Sequence, residues 1–411
     1  MTALLLSGTR IVTPVGVIDD GWLLADDGVI LQLGQGLPEP ATLAAARGSD
    51  DDVEHIVAAG GWLVPGFIDV HVHGALGHET MDGEVDGLAA MAAFYASHGV
   101  TSFLATTWTA STDDTLHALD GVARALTELD AGARLLGAHM EGPYLSARRC
   151  GAQDSAAIRP ADAAEAARFL DTGVVRLMTV APEVPGNLDL VSECVRRGVT
   201  VSAGHTDATY EQVMVAVDRG VRHVTHTFNA MRPLHHREPG LVGAAMTERV
   251  LTVEVIADGI HVHPTVLRAL YDARGGRGIV LVTDAMRATG MPPGRYPIGD
   301  DRSVVLADGA VRLPDGALAG SVLTFDTALR NLAAATGRGP DRLWASASRN
   351  AAQVAGVADR KGAIARGQDA DLVLLSEDLE VQLTVVEGRV VHRCDREATD
   401  QPSGSLPGGA T

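Results

Sequence analysis

Eight short apolar runs, spaced along the middle of the chain, constrain its fold more than any other feature. They occupy 67–73, 100–108, 134–142, 174–181, 199–205, 222–228, 251–257 and 279–286. Each is rich in strand-forming residues, and amphipathic segments lie between several of them. In 113–129, Leu116, Leu119, Val122, Leu126 and Leu129 share one helical face. Three predicted helices end at Gly99, Gly198 and Gly220, each followed by Val and a new strand. A glycine in that place accepts the left-handed conformation that closes a helix. Eight strands with intervening helices predict an α/β protein built on a (β/α)8 TIM barrel. The alternative, an open doubly wound sheet, is weakened because no G-x-G-x-x-G follows the first strand.

The two chain ends read differently. Residues 3–62 and 369–392 are short strands broken by turns, near Ser376 and at Glu387–Gly388 among other places. They predict one small β-sandwich domain formed by both ends. The expected division is 1–62 for its N-terminal part, 63–362 for the barrel, 363–395 for its C-terminal part and 396–411 for a disordered Pro/Gly/Ser/Thr-rich tail. Residues 41–52, "ATLAAARGSDDD", read as a mobile insertion.

Composition removes several function classes. The chain has 411 residues, 46% of them hydrophobic, enough for a large core. A net charge of −19 argues against a nucleic-acid or anionic-membrane partner, and an anionic substrate would need a local positive site. An apolar run of the ~18 residues needed to span a bilayer is absent, and the start "MTALLLSGTR" does not read as a signal peptide. Cys150, Cys194 and Cys394 have no metal-ligand spacing and do not suggest a disulfide framework. These features predict a cytoplasmic protein. Lys361 is the single lysine, so a lysine-based Schiff base or bridge has almost no candidate.

The chemistry gathers at the strand ends. Strand one ends in His71 and His73, whose side chains point the same way about 7 Å apart along a strand. Strand three ends in Glu141, strand five in His205, strand six in His226 and Asn229, and strand eight in Asp284. In a barrel these ends share one rim. A lone histidine there is commonly a packing residue; ligand-type residues on five strand ends predict a metal site. Imidazole and carboxylate suit zinc or a similar divalent ion. Glu141 could bridge two ions, His205 and His226 completing one site and His71 with His73 the other. Asp284 could bind a metal or hold a proton. His223 reads as packing within strand six; Cys150 reads as a loop thiol.

At this point the residues resemble the amidohydrolase superfamily. The finer motifs "HMEGPY" (139–144), "SAGHTDAT" (202–209), "THTFNAM" (225–231), "REPG" (237–240), "ADGIHV" (257–262) and "VTDA" (282–285) resemble its N-acetylglucosamine-6-phosphate deacetylase family. The resemblance implies cleavage of the acetamide of N-acetyl-D-glucosamine 6-phosphate, with one or two Zn2+ per subunit. Glu141, His205 and His226 would hold the main ion, His71 and His73 a second, and Asp284 would be the catalytic acid–base. Ala152, Gln153, Asn229, Ala230 and His261 would contact the sugar phosphate. Arg237 would reach the site of the neighbouring subunit, which implies a homodimer. One departure stands out: where the family commonly has Lys-Gly-x-His, this chain reads "RRCGAQD", with Gln153 in the histidine's place. Gln153 can donate an N–H to an oxyanion but cannot carry charge. Rival expectations are a deacetylase of another N-acetylated sugar phosphate and a cyclic amidase.

Overall fold

The computed structural model describes residues 3–39, 53–58, 60–299 and 302–394. The segment 41–52 and the tail 396–411 lie outside them. Eight parallel strands form the central sheet: Phe67–Val72, Val100–Thr107, Arg134–Glu141, Val175–Val180, Thr200–Ala203, His223–Val224, Thr252–Ile256 and Ile279–Val282. Their spatial order follows their order in the chain. The first and last strands meet without a regular ladder. Asp69 stitches this seam by accepting the Thr283 hydroxyl at 2.6 Å, and the Asp284 N–H donates to the His71 carbonyl at 2.9 Å. The result is a nearly closed (β/α)8 barrel, as predicted.

The fifth and sixth strands are shorter than the runs 199–205 and 222–228 suggested. The reason is conformational. His205 (φ 46°), His226 (φ 25°), Phe228 (φ 83°) and Ala230 (φ 47°) leave the extended region and turn the chain across the barrel mouth. The helix Thr112–Glu128 forms where expected, but its buried stripe is centred on Ala118, Leu119, Val122 and Ala125, with Leu116 and Leu126 half-buried. Gly99, Gly198 and Gly220 all have positive φ, as their helix-closing place requires.

The chain ends form one eight-stranded sheet in the order Arg389–Arg393, Val381–Val386, Leu372–Leu375, Trp62–Pro65, Ala3–Thr13, Gly16–Asp26 and Val29–Gln35, with Val53–Val57 beside Ala3–Thr13. Leu6, Ile11, Leu23, Ile30, Leu63, Leu372 and Val385 fill its core, and Val29 bridges back to Asp369. Trp62–Pro65 pairs inside this sheet, so the barrel's first strand opens at Phe67. Lys361 is buried between Asp369 (3.0 Å) and Asp371 (2.7 Å), with Glu387 at 3.2 Å. It is a structural cation joining the end of the barrel to the small sheet. Removing one partner of such a pair leaves a buried charge uncompensated, a cost of roughly 3–5 kcal/mol.

A three-stranded antiparallel sheet, Gly294–Ile298, Arg302–Ala307 and Ala310–Arg312, follows the eighth strand. Its buried face, Ile298, Val304, Leu306 and Val311, packs with Trp108 and Ala152 over the barrel mouth. The sequence reading did not anticipate this element.

Candidate metal and active site

The barrel brings the predicted ligands of five strand ends to one point. Glu141 lies at its centre. The Nε2 atoms of His205 and His226 both lie 3.0 Å from Glu141 Oε1, and 3.0 Å from each other. His73 Nε2 is 3.2 Å from Glu141 Oε2, and His71 Nε2 is 3.4 Å from Oε1. Asp284 Oδ1 completes the group, 3.3 Å from His73 Nε2 and 3.6 Å from His71 Nε2. All six side chains are buried. Asp284 shares the left-handed conformation of His205 and His226, at φ 50°. Such conformations cost energy and persist where the surrounding structure dictates them, which is common at reactive sites.

The hydrogen bonds on the outer ring nitrogens decide which lone pairs face inward. His205 Nδ1 lies 2.9 Å from the Arg149 carbonyl and must donate to it. His71 Nδ1 lies 2.9 Å from Glu254 Oε2 and donates there. In their neutral forms both rings therefore turn unprotonated Nε2 atoms towards carboxylate oxygens, which are also acceptors. Acceptors at this spacing repel unless a cation lies between them. His71 Nε2, both ring nitrogens of His73 and Nδ1 of His226 are buried with no hydrogen-bond partner. Of these, His71 Nε2 and His73 Nε2 face Glu141, and orphaned nitrogens aimed at a carboxylate fit a metal. Among the described residues three ligand sets arise: Glu141 with His205 and His226, Glu141 with His71 and His73, and His71 with His139 and Glu254. In the third, His139 is already held by Val70 and Thr179, and Glu254 by His71 and His223.

The ionisation pattern has the same cause. Burial alone would lower the pKa of His71, but Glu141, Glu254 and Asp284 reverse this and hold it well above its ordinary value. His73 is raised in the same way by Asp284 and Glu141 against its burial. Burial pushes Glu141 up, yet the His71 and His205 charges keep it well below the usual carboxylate range. The site demands positive charge, whether from protons or from a metal.

Three supporting residues escaped the sequence reading. Glu254, fully buried in the seventh strand, binds His71, accepts from His223 Nε2 at 2.9 Å and accepts the His226 N–H at 2.9 Å. Its signal was a lone acid within the apolar run "LTVEVIA". His139, noticed only as part of a motif, donates Nδ1–H to the Val70 carbonyl and accepts from Thr179 through Nε2. Burial, then the His71 charge, pushes its pKa down to about 3, so it stays neutral. Trp108 stacks flat on His73, with ring centroids 3.7 Å apart and planes 7° apart. His223 packs against Thr252 and Glu254 and stays outside the ligand sets.

A pocket of about 210 Å³ opens above the cluster. Its wall contains Glu141, His205, His226 and Asp284, together with Asn229, Ala230 and His261. Ala152, Gln153 and Trp108 also line it. Asp258 holds His261 through Nδ1 at 2.6 Å, which leaves Nε2 for a ligand. Gln153, the expected oxyanion donor, lines the pocket with its amide held by two neighbours. The Thr109 N–H donates to its Oε1 at 2.7 Å, which fixes the amide orientation, and its Nε2 donates to Glu141 Oε2 at 2.6 Å. Gln153 is therefore hydrogen-bonded to the central carboxylate. Arg237 is exposed on the loop beyond the sixth strand and pairs with His236. Among the described residues, neither Arg237 nor any other arginine or lysine lines this pocket.

Comparison with known proteins agrees with this geometry. The amidohydrolase family model matches residues 62–391. The N-acetylglucosamine-6-phosphate deacetylase of Bacillus subtilis is 36% identical over 393 residues, covering 94% of this chain and 97% of the relative. The N-acetylgalactosamine-6-phosphate deacetylase of Escherichia coli O157:H7 is 36% identical over 387 residues, covering 94% and 98%. Among solved structures, an aspartate-to-alanine mutant of the Mycobacterium smegmatis N-acetyl-D-glucosamine-6-phosphate deacetylase, in complex with N-acetyl-D-glucosamine-6-phosphate, superposes with a TM-score of 0.86. It is 34% identical, covering 95% of this chain and all of that one.

Proposed function

The chain belongs to the amidohydrolase family, and from that premise we propose that it hydrolyses the acetamide of N-acetyl-D-glucosamine 6-phosphate to D-glucosamine 6-phosphate and acetate. The observation that carries this reading is the convergence of Glu141, four histidines and Asp284 beneath a pocket sized for one small ligand. Glu141, His205 and His226 would hold the main metal, and His71 with His73 a second. Imidazole with carboxylate favours Zn2+. Such an ion supplies Lewis acidity at the amide carbonyl and brings the pKa of a water to ~7.

The protein's own residues perform the proton chemistry. Asp284 stands beside His71 and His73 and is held ionised: burial raises its pKa, but the two histidines lower it further. An ionised carboxylate there accepts the proton of the attacking water and returns it to the amine nitrogen, which departs only when protonated. Gln153 holds Glu141 in its central place. Asn229, the Ala230 backbone and His261 bind the sugar-phosphate end.

The phosphate needs a cation, and among the described residues the pocket wall offers no arginine or lysine. That supports Arg237 reaching the phosphate of a second copy of this chain, in a homodimer. The three cysteines are all free, which supports a cytoplasmic location. Among the described residues, no helix is long and apolar enough to cross a membrane.

The test is acetate release from N-acetylglucosamine 6-phosphate by metal-analysed protein, with the galactosamine epimer in parallel. The E. coli relative, at the same identity as the B. subtilis one, makes that epimer the second reading. No acetate from either epimer would remove both.

A further inference from the structure

Trp108 stands between two cavities. It follows the second barrel strand, is 4% exposed and lines both the 210 Å³ reaction pocket and a separate cavity of about 770 Å³. The larger cavity lies among Thr109, Ala110, Thr112, His117 and Arg302. The indole is fixed on two sides. One face stacks on His73, so the ring borders the ligand cluster itself. Its surroundings include Ala152, Ile298 and Leu306 from the apolar layer that the three-stranded sheet lays over the barrel mouth. The next residue, Thr109, clamps Gln153. Its indole N–H is buried with no hydrogen-bond partner, so hydrogen bonding does not explain a tryptophan here.

The amide geometry gives this wall a chemical task. The scissile carbonyl carbon must lie among Glu141, His205, His226 and Asp284. On the deacetylase reading the sugar phosphate contacts Asn229, Ala230 and His261. In a trans amide the acyl chain leaves the carbonyl away from the nitrogen substituent, and so towards the remaining wall. Apart from Gln153, whose amide is taken up by Thr109 and Glu141, the side chains of the remaining lining are apolar: Trp108, Ala152, Ala317 and Leu318. We propose that Trp108 sets the acyl-length specificity of the enzyme, its indole closing the reaction pocket off from the larger cavity and so restricting the substrate to an N-acetyl group. This inference rests on the proposed deacetylase reading.

The test compares kcat/KM for N-acetyl-, N-butanoyl- and N-hexanoylglucosamine 6-phosphate, with metal content measured for every sample. A methylene that does not fit an apolar pocket costs roughly 10–200-fold. Wild-type protein should therefore prefer acetyl over butanoyl by at least about tenfold. Trp108→Ala should raise the butanoyl-to-acetyl ratio by about tenfold or more, because the two cavities then join. Trp108→Phe keeps a flat wall and should retain the preference. Ala110→Phe added to Trp108→Ala refills the neighbouring cavity and should lower the ratio again. Should Trp108→Ala fail to fold, Trp108→Leu carries the same expectation with a smaller opening. A purely structural role would lower all substrates in proportion and leave the ratio where it was. An unchanged ratio in an active variant, a wild type indifferent to acyl length, or a ratio unmoved by Ala110→Phe would each overturn the proposal while leaving the deacetylase reading intact. A wild type inactive on the acetyl substrate would remove that reading, and this proposal with it.

Discussion

Glu254 Oε2 lies 2.9 Å from His71 Nδ1, on the side of the ring away from Glu141. That one bond sets the tautomer and aims the His71 Nε2 lone pair at the ligand cluster. A carboxylate behind a metal-binding imidazole also raises the basicity of the ligand. Glu254→Gln keeps the shape but loses the charge. It should weaken the affinity of the His71/His73 ion by about 10–100-fold, measured by competition with a chelator. Unchanged affinity would mean that Glu254 only packs.

Two of the three ligand sets share Glu141 and have no other residue in common: Glu141 with His205 and His226, and Glu141 with His71 and His73. Substituting both His71 and His73 by Ala should therefore remove one metal equivalent and keep the ion held by His205 and His226. Metal analysis of the purified double variant checks this directly. Full retention would show that the pair holds no metal.

Asp284 touches both His71 and His73 but enters neither ligand set. Asp284→Asn should keep the fold and most of the metal. It should lose about 10²–10⁴-fold in kcat, because an amide cannot accept and return the proton. Near-normal acetate release from this variant would sink the acid–base assignment.

Arg237→Ala should raise KM for the phosphorylated sugar by roughly tens- to hundreds-fold, the loss of a charge-assisted bond of about 1.5–3 kcal/mol. Activity on unphosphorylated N-acetylglucosamine should barely change. Mixed dimers decide the subunit of origin. Arg237→Ala chains combined with Asp284→Asn chains produce one intact site per hybrid if the arginine acts across the interface. Verified hybrids that stay inactive at low substrate would place Arg237 over its own chain's site.

Away from the metal cluster, Asp326 is paired with His98 at 3.0 Å and Arg330 at 2.9 Å. Burial raises its pKa, but the bond from His98 and these charges hold it well below the ordinary 3.8. A depressed carboxylate contributes stability that is fully present above its unfolded pKa. That stability is lost as pH falls through about 4 towards the lower folded value. Asp326→Asn should therefore flatten the acid side of the Tm-versus-pH curve below about pH 4 and lower Tm near neutrality. Parallel acid limbs in variant and wild type would show that Asp326 does not contribute this way.

What the sequence determined by itself was whatever repeats locally. Strand and helix periods are properties of neighbouring residues, so the eight-strand order and the helix-closing Gly99, Gly198 and Gly220 were legible. So were His71, His73, Glu141, His205, His226 and Asp284, because barrel chemistry sits where an apolar run stops. The tertiary structure decided what depends on closure. Glu254 looked like one acid in an apolar strand until the barrel set it against His71, 183 residues away in the chain. Gln153 was legible as a donor, and its partners were not: the Thr109 N–H, brought near from the end of another strand, orients its amide towards Glu141. Trp108 read as the last residue of a strand, and only the three-stranded sheet packed over the mouth made it a wall between two cavities. Local pattern specifies which face a side chain takes. Its partner is specified by distant segments, and those become neighbours only when the sheet curls round and the apolar layers pack.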